Sequence, residues 1–191
     1  MNTGNFEASM DSAVAMLEEG GVILYPTDTI WGIGCDATDG DAIARIYRIK
    51  KRALKKSMII LVSGQEMIRR YVADPSNKLL DYLAAAHQPT TAIFENATGL
   101  PDLLIPEEGT IAIRIVQDDF CRGLIGRLDK PLVSTSANIS GEEFPQNFSE
   151  IVENIRKGVD YIVPYRQDEP GPGSPSSIIK LGSRGEIESV R

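Results

Sequence analysis

Pro131-Leu-Val-Ser-Thr-Ser-Ala-Asn-Ile-Ser-Gly141 joins a short apolar run to a run of small polar side chains. Pro131–Val133 reads as the start of a buried strand. The hydroxyls and amide that follow, on Ser134, Thr135, Ser136, Asn138 and Ser140, crowd donors and acceptors at its end. Serine or Asx turns explain any two of these residues. The whole run points further, to a ligand loop at a strand end, the usual site position in α/β folds. Outward from here the chain alternates. A helical pattern over Phe6–Glu19 stops at Gly20-Gly21, and Val22–Tyr25 follows as a strand. Asp39 and Asp41 are candidate caps for a helix bearing Ile43, Ile46 and Ile49. Apolar strands are predicted at Ser57–Val62, Thr91–Phe94, Ile111–Val116 and Leu132–Ser134. Helices are predicted near 64–72, 76–86, 118–127 and 149–157. Tyr161–Pro164 comes next, and then a hairpin, Ser177–Leu181 with Ile187–Arg191, turning at Gly182–Gly185. This order predicts an α/β fold: one domain over residues 1–191, its twisted mixed sheet of parallel and antiparallel strands flanked by helices.

Three other segments are more polar than a fold alone requires. Tyr25-Pro-Thr-Asp-Thr-Ile-Trp-Gly-Ile-Gly-Cys-Asp36 leaves a strand at Pro26 and places two threonines around an aspartate before a glycine-spaced turn. Hydroxyls and free N–H groups there suit an anionic or zwitterionic ligand, and a plain turn with Trp31 in the core suits the same residues. Lys50-Lys51-Arg52 ends a predicted helix. A point charge beside a forked guanidinium fits a polyphosphate, and basic residues at a helix C-terminus also offset its macrodipole. Gly173-Ser-Pro-Ser-Ser-Ile178 is a further hydroxyl cluster feeding a strand.

Composition narrows the chemistry. Of 191 residues 42% are hydrophobic and 25% charged, as in ordinary globular proteins, and no apolar run reaches membrane-spanning length. Residues 1–10 lack a basic patch followed by an apolar stretch, so no secretory signal is expected. Two cysteines make no disulfide framework, and a reducing cytosol is the expected compartment. With one histidine, His87, a zinc site rich in histidine is excluded and a serine or cysteine hydrolase has one candidate base. The net charge is −7, yet residues 45–56 hold seven basic side chains and no acidic one. A basic island on an acidic chain suggests a local anion site or a solvated helix face. No phosphate-loop, Rossmann or kinase signature is present.

PTDTIWGIGCDA, the Lys50-x-Arg52 pair, PLVSTSANISG and PSSIIKL stand in the order that they have in the YrdC-like family, and the chain resembles that family from about Gly20 to Arg191. The resemblance implies a twisted α/β fold with an open cleft. It also implies the activity of a threonylcarbamoyl-AMP synthase, which joins L-threonine, bicarbonate and ATP and releases pyrophosphate. The product serves a tRNA modification completed by a separate threonylcarbamoyl-transfer complex. Matched motif to motif, Lys50, Arg52, Ser136 and Asn138 form the catalytic set. Arg52, Lys56, Thr91, Ser136 and Arg191 fall to ATP, which brings Mg2+. Thr29, Arg114, Ser134 and Ser177 fall to threonine. No metal site built by the protein is expected, no membrane association, and at most weak tRNA binding. The chain departs from the family pattern at Ala53, where proline is usual, at Leu61, where histidine is common, and at Phe144, where a serine contacts the nucleotide. Two alternatives share the fold: an RNA-binding protein, and a carbamoyl-transfer enzyme that does not use threonine.

Overall fold

Alternation along the strands of the sheet decides which side chains meet ligand and which meet the core. The computed structural model describes residues 3–54, 56–169 and 173–190. In chain order they form α1 (Thr3–Glu18), β1 (Ile23–Tyr25), β2 (Gly32–Gly34), α2 (Gly40–Ile49), β3 (Ile59–Val62), α3 (Gln65–Tyr71) and α4 (Asn77–Ala85). β4 (Thr90–Phe94), β5 (Ile111–Ile115), α5 (Asp119–Leu128), β6 (Leu132–Ser136) and a 3-10 turn (Phe148–Glu150) follow. α6 (Glu153–Gly158), β7 (Tyr161–Ile162), β8 (Ser177–Leu181) and β9 (Ile187–Ser189) complete the set. The strands make one mixed sheet in the order β7-β1-β2-β6-β3-β5-β4-β8-β9. β3 is parallel to β5 and β4 to β8, whereas β6 runs antiparallel to both β2 and β3. This is the α/β class and mixed sheet expected from the sequence.

Register places Ile59 opposite Ala112 and Ser134, Leu61 opposite Arg114, and Arg114 opposite Thr91. Side chains paired across strands share a face. One face therefore carries Ile59, Leu61, Ala112, Arg114, Ile93, Ser134 and Ile178. The other carries Ile60, Val62, Ile113, Ala92, Phe94, Val133 and Ile179, all buried in the core beneath helices. Helices α3, α4 and α5 pack against this second face, and α1 lies on α5. Phe6, Phe120 and Tyr165 close that layer with ring centroids 5.2–5.7 Å apart.

Three expectations change. The segment around Gly32–Gly34 was expected to be a turn and is a strand. Tyr25 lays its ring across both glycines: a methyl on Gly32 would meet that ring at 3.4 Å and one on Gly34 at 2.8 Å. Glycine here makes room for an aromatic ring and does not break the strand. The helix expected over 149–157 splits into the 3-10 turn, capped by Asn147 Oδ1 accepting from Glu150 N, and α6. β6 runs to Ser136, so the first hydroxyls of the polar run lie within the strand. The end of the hairpin at Arg191 lies outside the described residues.

Candidate functional site

The polar face of the sheet opens into a cleft of about 400 Å³. Five of the residues assigned to catalysis, ATP or threonine line it together: Thr29, Arg52, Arg114, Ser134 and Ser136. Arg114 is the more buried of the two charges that line the cleft, 3% exposed. In IAIRI the isoleucines alternate into the core, so the intervening arginine must face the cleft. Its Nη2 pairs with Asp28 Oδ1 at 3.0 Å, and its Nη1 donates to Thr29 Oγ1 at 3.0 Å. Its Nε–H has no acceptor among the described residues. A buried guanidinium with an unsatisfied donor at a cleft wall suits a carboxylate ligand.

Lys50 and Asn138 lie behind the cleft, not on its lining. The end of α2 explains why. Asp39 caps its start, Oδ1 accepting from Asp41 N and Ala42 N. At its other end Lys51 takes a left-handed φ of 49°, Lys51 N bonds to Arg48 O, and Arg52 N bonds to Tyr47 O. That is a Schellman reversal, with lysine where glycine is commonest. It turns Lys50 inward and Arg52 toward the cleft. Lys50, 1% exposed, donates to the carbonyl of Ser136, to Asn138 O at 2.7 Å and to Asn138 Oδ1 at 3.1 Å. Ser140 N returns a bond to Lys50 O at 2.8 Å. Ser136 Oγ in turn donates to Asn138 Oδ1 at 2.5 Å. Burial, with the Arg52 charge second, lowers the Lys50 pKa to about 7. In this geometry Lys50 shapes the hydroxyl loop and Arg52 meets the ligand space. Arg52 Nη2 donates to Ser57 O at 2.7 Å and Nε to Lys56 O at 3.3 Å, which folds the guanidinium onto its own loop.

The remaining assignments separate. Thr91 is completely buried; its hydroxyl meets Ser176 Oγ at 2.7 Å, so Ser176 stands between it and the cleft. Ser177 is exposed away from the main cleft and donates to Thr90 Oγ1 at 3.2 Å. Ile178 faces the cleft, so by strand alternation Ser176 faces it and Ser177 does not. The period of two was the signal that could have shown this one-residue shift. Lys56 is exposed beside the cleft, not among its lining residues, and offers Arg52 a backbone carbonyl. Arg191 lies outside the described residues. Leu61 and Phe144, two of the departures, both line the cleft and make its wall more apolar. Reading the sequence by motif also missed Asp28, the partner of Arg114, and Thr27, which underlies Thr29.

No group of three or more His, Cys, Asp and Glu side chains among the described residues could hold a metal ion. No helix among them is long and apolar enough to cross a membrane. Residues 15–191 match the family model for Sua5, YciO and YrdC proteins, described as telomere recombination. A threonylcarbamoyl-AMP synthase from Pseudoalteromonas translucida is 31% identical over 95% of this chain and 97% of that protein. One from Xanthomonas campestris pv. campestris is 37% identical over 70% of this chain and 73% of its own. The crystal structure of P. abyssi Sua5 complexed with L-threonine superposes with a TM-score of 0.83 at 22% identity. The match covers 95% of this chain and 53% of that one, so the chain spans about half the length of that relative.

Proposed function

The chain belongs to the Sua5/YciO/YrdC family, and on that premise we propose that it is a threonylcarbamoyl-AMP synthase. It joins L-threonine, bicarbonate and ATP into threonylcarbamoyl-adenylate and pyrophosphate. The observation that carries this reading is the buried Arg114, held by Asp28 and Thr29 beneath a cleft rimmed with Ser134, Ser136 and Ser176. An amino acid's carboxylate has a forked partner there, and its polar remainder has hydroxyls around it. Arg52 enters the same cleft and supplies a guanidinium for phosphate.

The chemistry asks for positioning more than for proton transfer. The threonine amine attacks the carbon of bicarbonate-derived CO₂ and loses a proton, giving a carbamate. A carbamate oxygen then attacks the α-phosphorus of ATP; the bond from that phosphorus to the bridging oxygen breaks and pyrophosphate leaves. Arg114 and Thr29 fix the amino acid, so the carbamate forms within reach of the nucleotide. Arg52 leaves the carbonyls of Lys56 and Ser57 for the phosphates, where negative charge moves toward the leaving group. Mg2+ comes with ATP as part of the substrate and neutralises phosphate charge. Lys50 and Asn138 hold the Ser134–Ser136 segment in place. The product passes to a protein complex that transfers the threonylcarbamoyl group to tRNA, in the cytosol where all three substrates are present.

Purified protein with ATP and magnesium, given threonine and bicarbonate separately and together, tests the reading by pyrophosphate release. Release is expected only with both. Release indifferent to threonine sinks the synthase assignment, and release with carbamoyl phosphate in place of both substrates supports the carbamoyl-transfer alternative.

A further inference from the structure

The hydroxyls at the cleft floor form a chain with a direction. Thr27 Oγ1 lies 2.8 Å from Ile30 O, 3.0 Å from Thr29 N and 2.9 Å from Thr29 Oγ1. A carbonyl only accepts, so the single proton of Thr27 goes to Ile30 O. Thr27 then has two lone pairs, which accept the N–H and the O–H of Thr29. Every contact is satisfied only in that order. Thr29 Oγ1 already accepts from Arg114 Nη1 at 3.0 Å. Its proton and one lone pair are thereby taken, and a single lone pair remains. Thr27 and Thr29 are 3% and 4% exposed, so water does not compete easily for these bonds.

We propose that Thr27 is a positioning residue that fixes the Thr29 proton away from the ligand, so that Thr29 accepts an N–H of the amino acid's amino group while Arg114 takes its carboxylate. The inference rests on the substrate assignment above. The partner is the amino group because Thr29 Oγ1 and Arg114 Nη1 are 3.0 Å apart, and groups held by two such neighbours must be neighbours on the ligand. In an α-amino acid the amino and carboxylate groups sit on one carbon. The direction matters for the reaction. An amine that donates an N–H keeps its lone pair free to attack carbon. A hydroxyl that donated to the amine would tie up that lone pair. With Thr27 in place, Thr29 has no proton to offer.

Thr27→Val keeps the shape and removes the acceptor for the Thr29 proton, and Thr27→Ser keeps the acceptor. The readouts are the maximal rate of threonine-dependent pyrophosphate release, the threonine dissociation constant from calorimetry, and the KM for ATP. Thr27→Val is expected to lower kcat about tenfold or more with threonine affinity within about threefold, because a misdirected group harms the attack more than the binding. The KM for ATP stays unchanged, and Thr27→Ser recovers most of the rate. An unchanged kcat in Thr27→Val, or a KM for ATP that rises in step with the loss, overturns the proposal. Should Thr27→Val not fold, Thr27→Ala removes the same acceptor and is read in the same way. A wild-type protein that releases pyrophosphate without threonine overturns the substrate assignment, and this inference with it, before any variant is compared.

Discussion

Lys50 ties the end of α2 to the hydroxyl loop with three donated bonds, and burial pulls its pKa from an ordinary 10.5 to about 7. Between those two values the unfolded chain carries a proton that the folded chain lacks. Stability therefore rises with pH across that window, while below about 7 both states are charged and the burial penalty is constant. Lys50→Met removes the titration, so urea unfolding at about pH 7 and about pH 9.5 should show wild type gaining stability relative to the variant. A constant difference across the window means that the oxygens of Ser136 and Asn138 hold the ammonium charged. Ser176 and Ser177 make a second contrast between single residues. Ser176 faces the cleft and Ser177 does not. Ser176→Ala should raise the KM for threonine about threefold to tenfold, the scale of one hydrogen bond, with Ser177→Ala within about twofold of wild type. Steady-state kinetics in which the two variants exchange these effects would place β8 one residue out of the register described here.

β2 depends on glycine for space. A Cβ on Gly34 would stand 2.8 Å from the Tyr25 ring and within hard contact of the Val133 carbonyl. On Gly32 the nearest atoms are Ser134 Oγ at 3.3 Å and the Tyr25 ring at 3.4 Å. Gly34→Ala should therefore cost about 3 kcal/mol or more and Gly32→Ala about 1 kcal/mol, measured by denaturant unfolding. Equal costs would show that the backbone of β2 yields to the added methyl. The same strand shows where sequence reading stops. IAIRI, SMIILV and TTAIF declare strands through apolar runs and alternation, and the helices declare theirs through apolar spacing and caps such as Asp39. Gly32-Ile-Gly34 has two glycines around a single strand-forming isoleucine, and what holds it as a strand is its pairing with Ile23–Tyr25, 7 to 11 residues upstream. The site was legible by the same rule. Arg114 stands out as a charge inside an alternating strand, and Ser134 and Ser136 as hydroxyls at a strand end. The inward turn of Lys50 was not legible, since it follows from a left-handed Lys51 that no local pattern announces. The burial of Thr91 was not legible either, because it depends on Ser176, far along the chain.

Across the whole molecule the charge is acidic, with a sequence pI near 4.8, and the basic island at 45–56 is the densest local exception along the chain. The fold leaves little of that island for a long polyanion. Arg45 is paired with Asp160 at 2.8 Å, Lys50 is buried, and Arg52 faces the cleft with its guanidinium on backbone carbonyls. Arg48, Lys51 and Lys56 remain exposed among the described residues of the run. Each phosphate neutralised on a duplex contributes about −0.9 to the slope of log affinity against log salt, and on a single strand about −0.7. Those three cations by themselves give only a shallow dependence, and the chain's net charge of −7 works against a long polyanion. Binding of unmodified tRNA, followed by fluorescence anisotropy between about 50 and 200 mM salt, should be weak with a slope no steeper than about −3. On the proposed function the nucleotide behaves differently, because Arg52 and the cleft hydroxyls that would meet it line a cleft on the sheet face, where salt screens less. The KM for ATP should accordingly change less over that range than the tRNA affinity does. A slope near −6 or beyond for tRNA would require cations from outside the island, and it would give the RNA-binding alternative the surface that this charge distribution withholds.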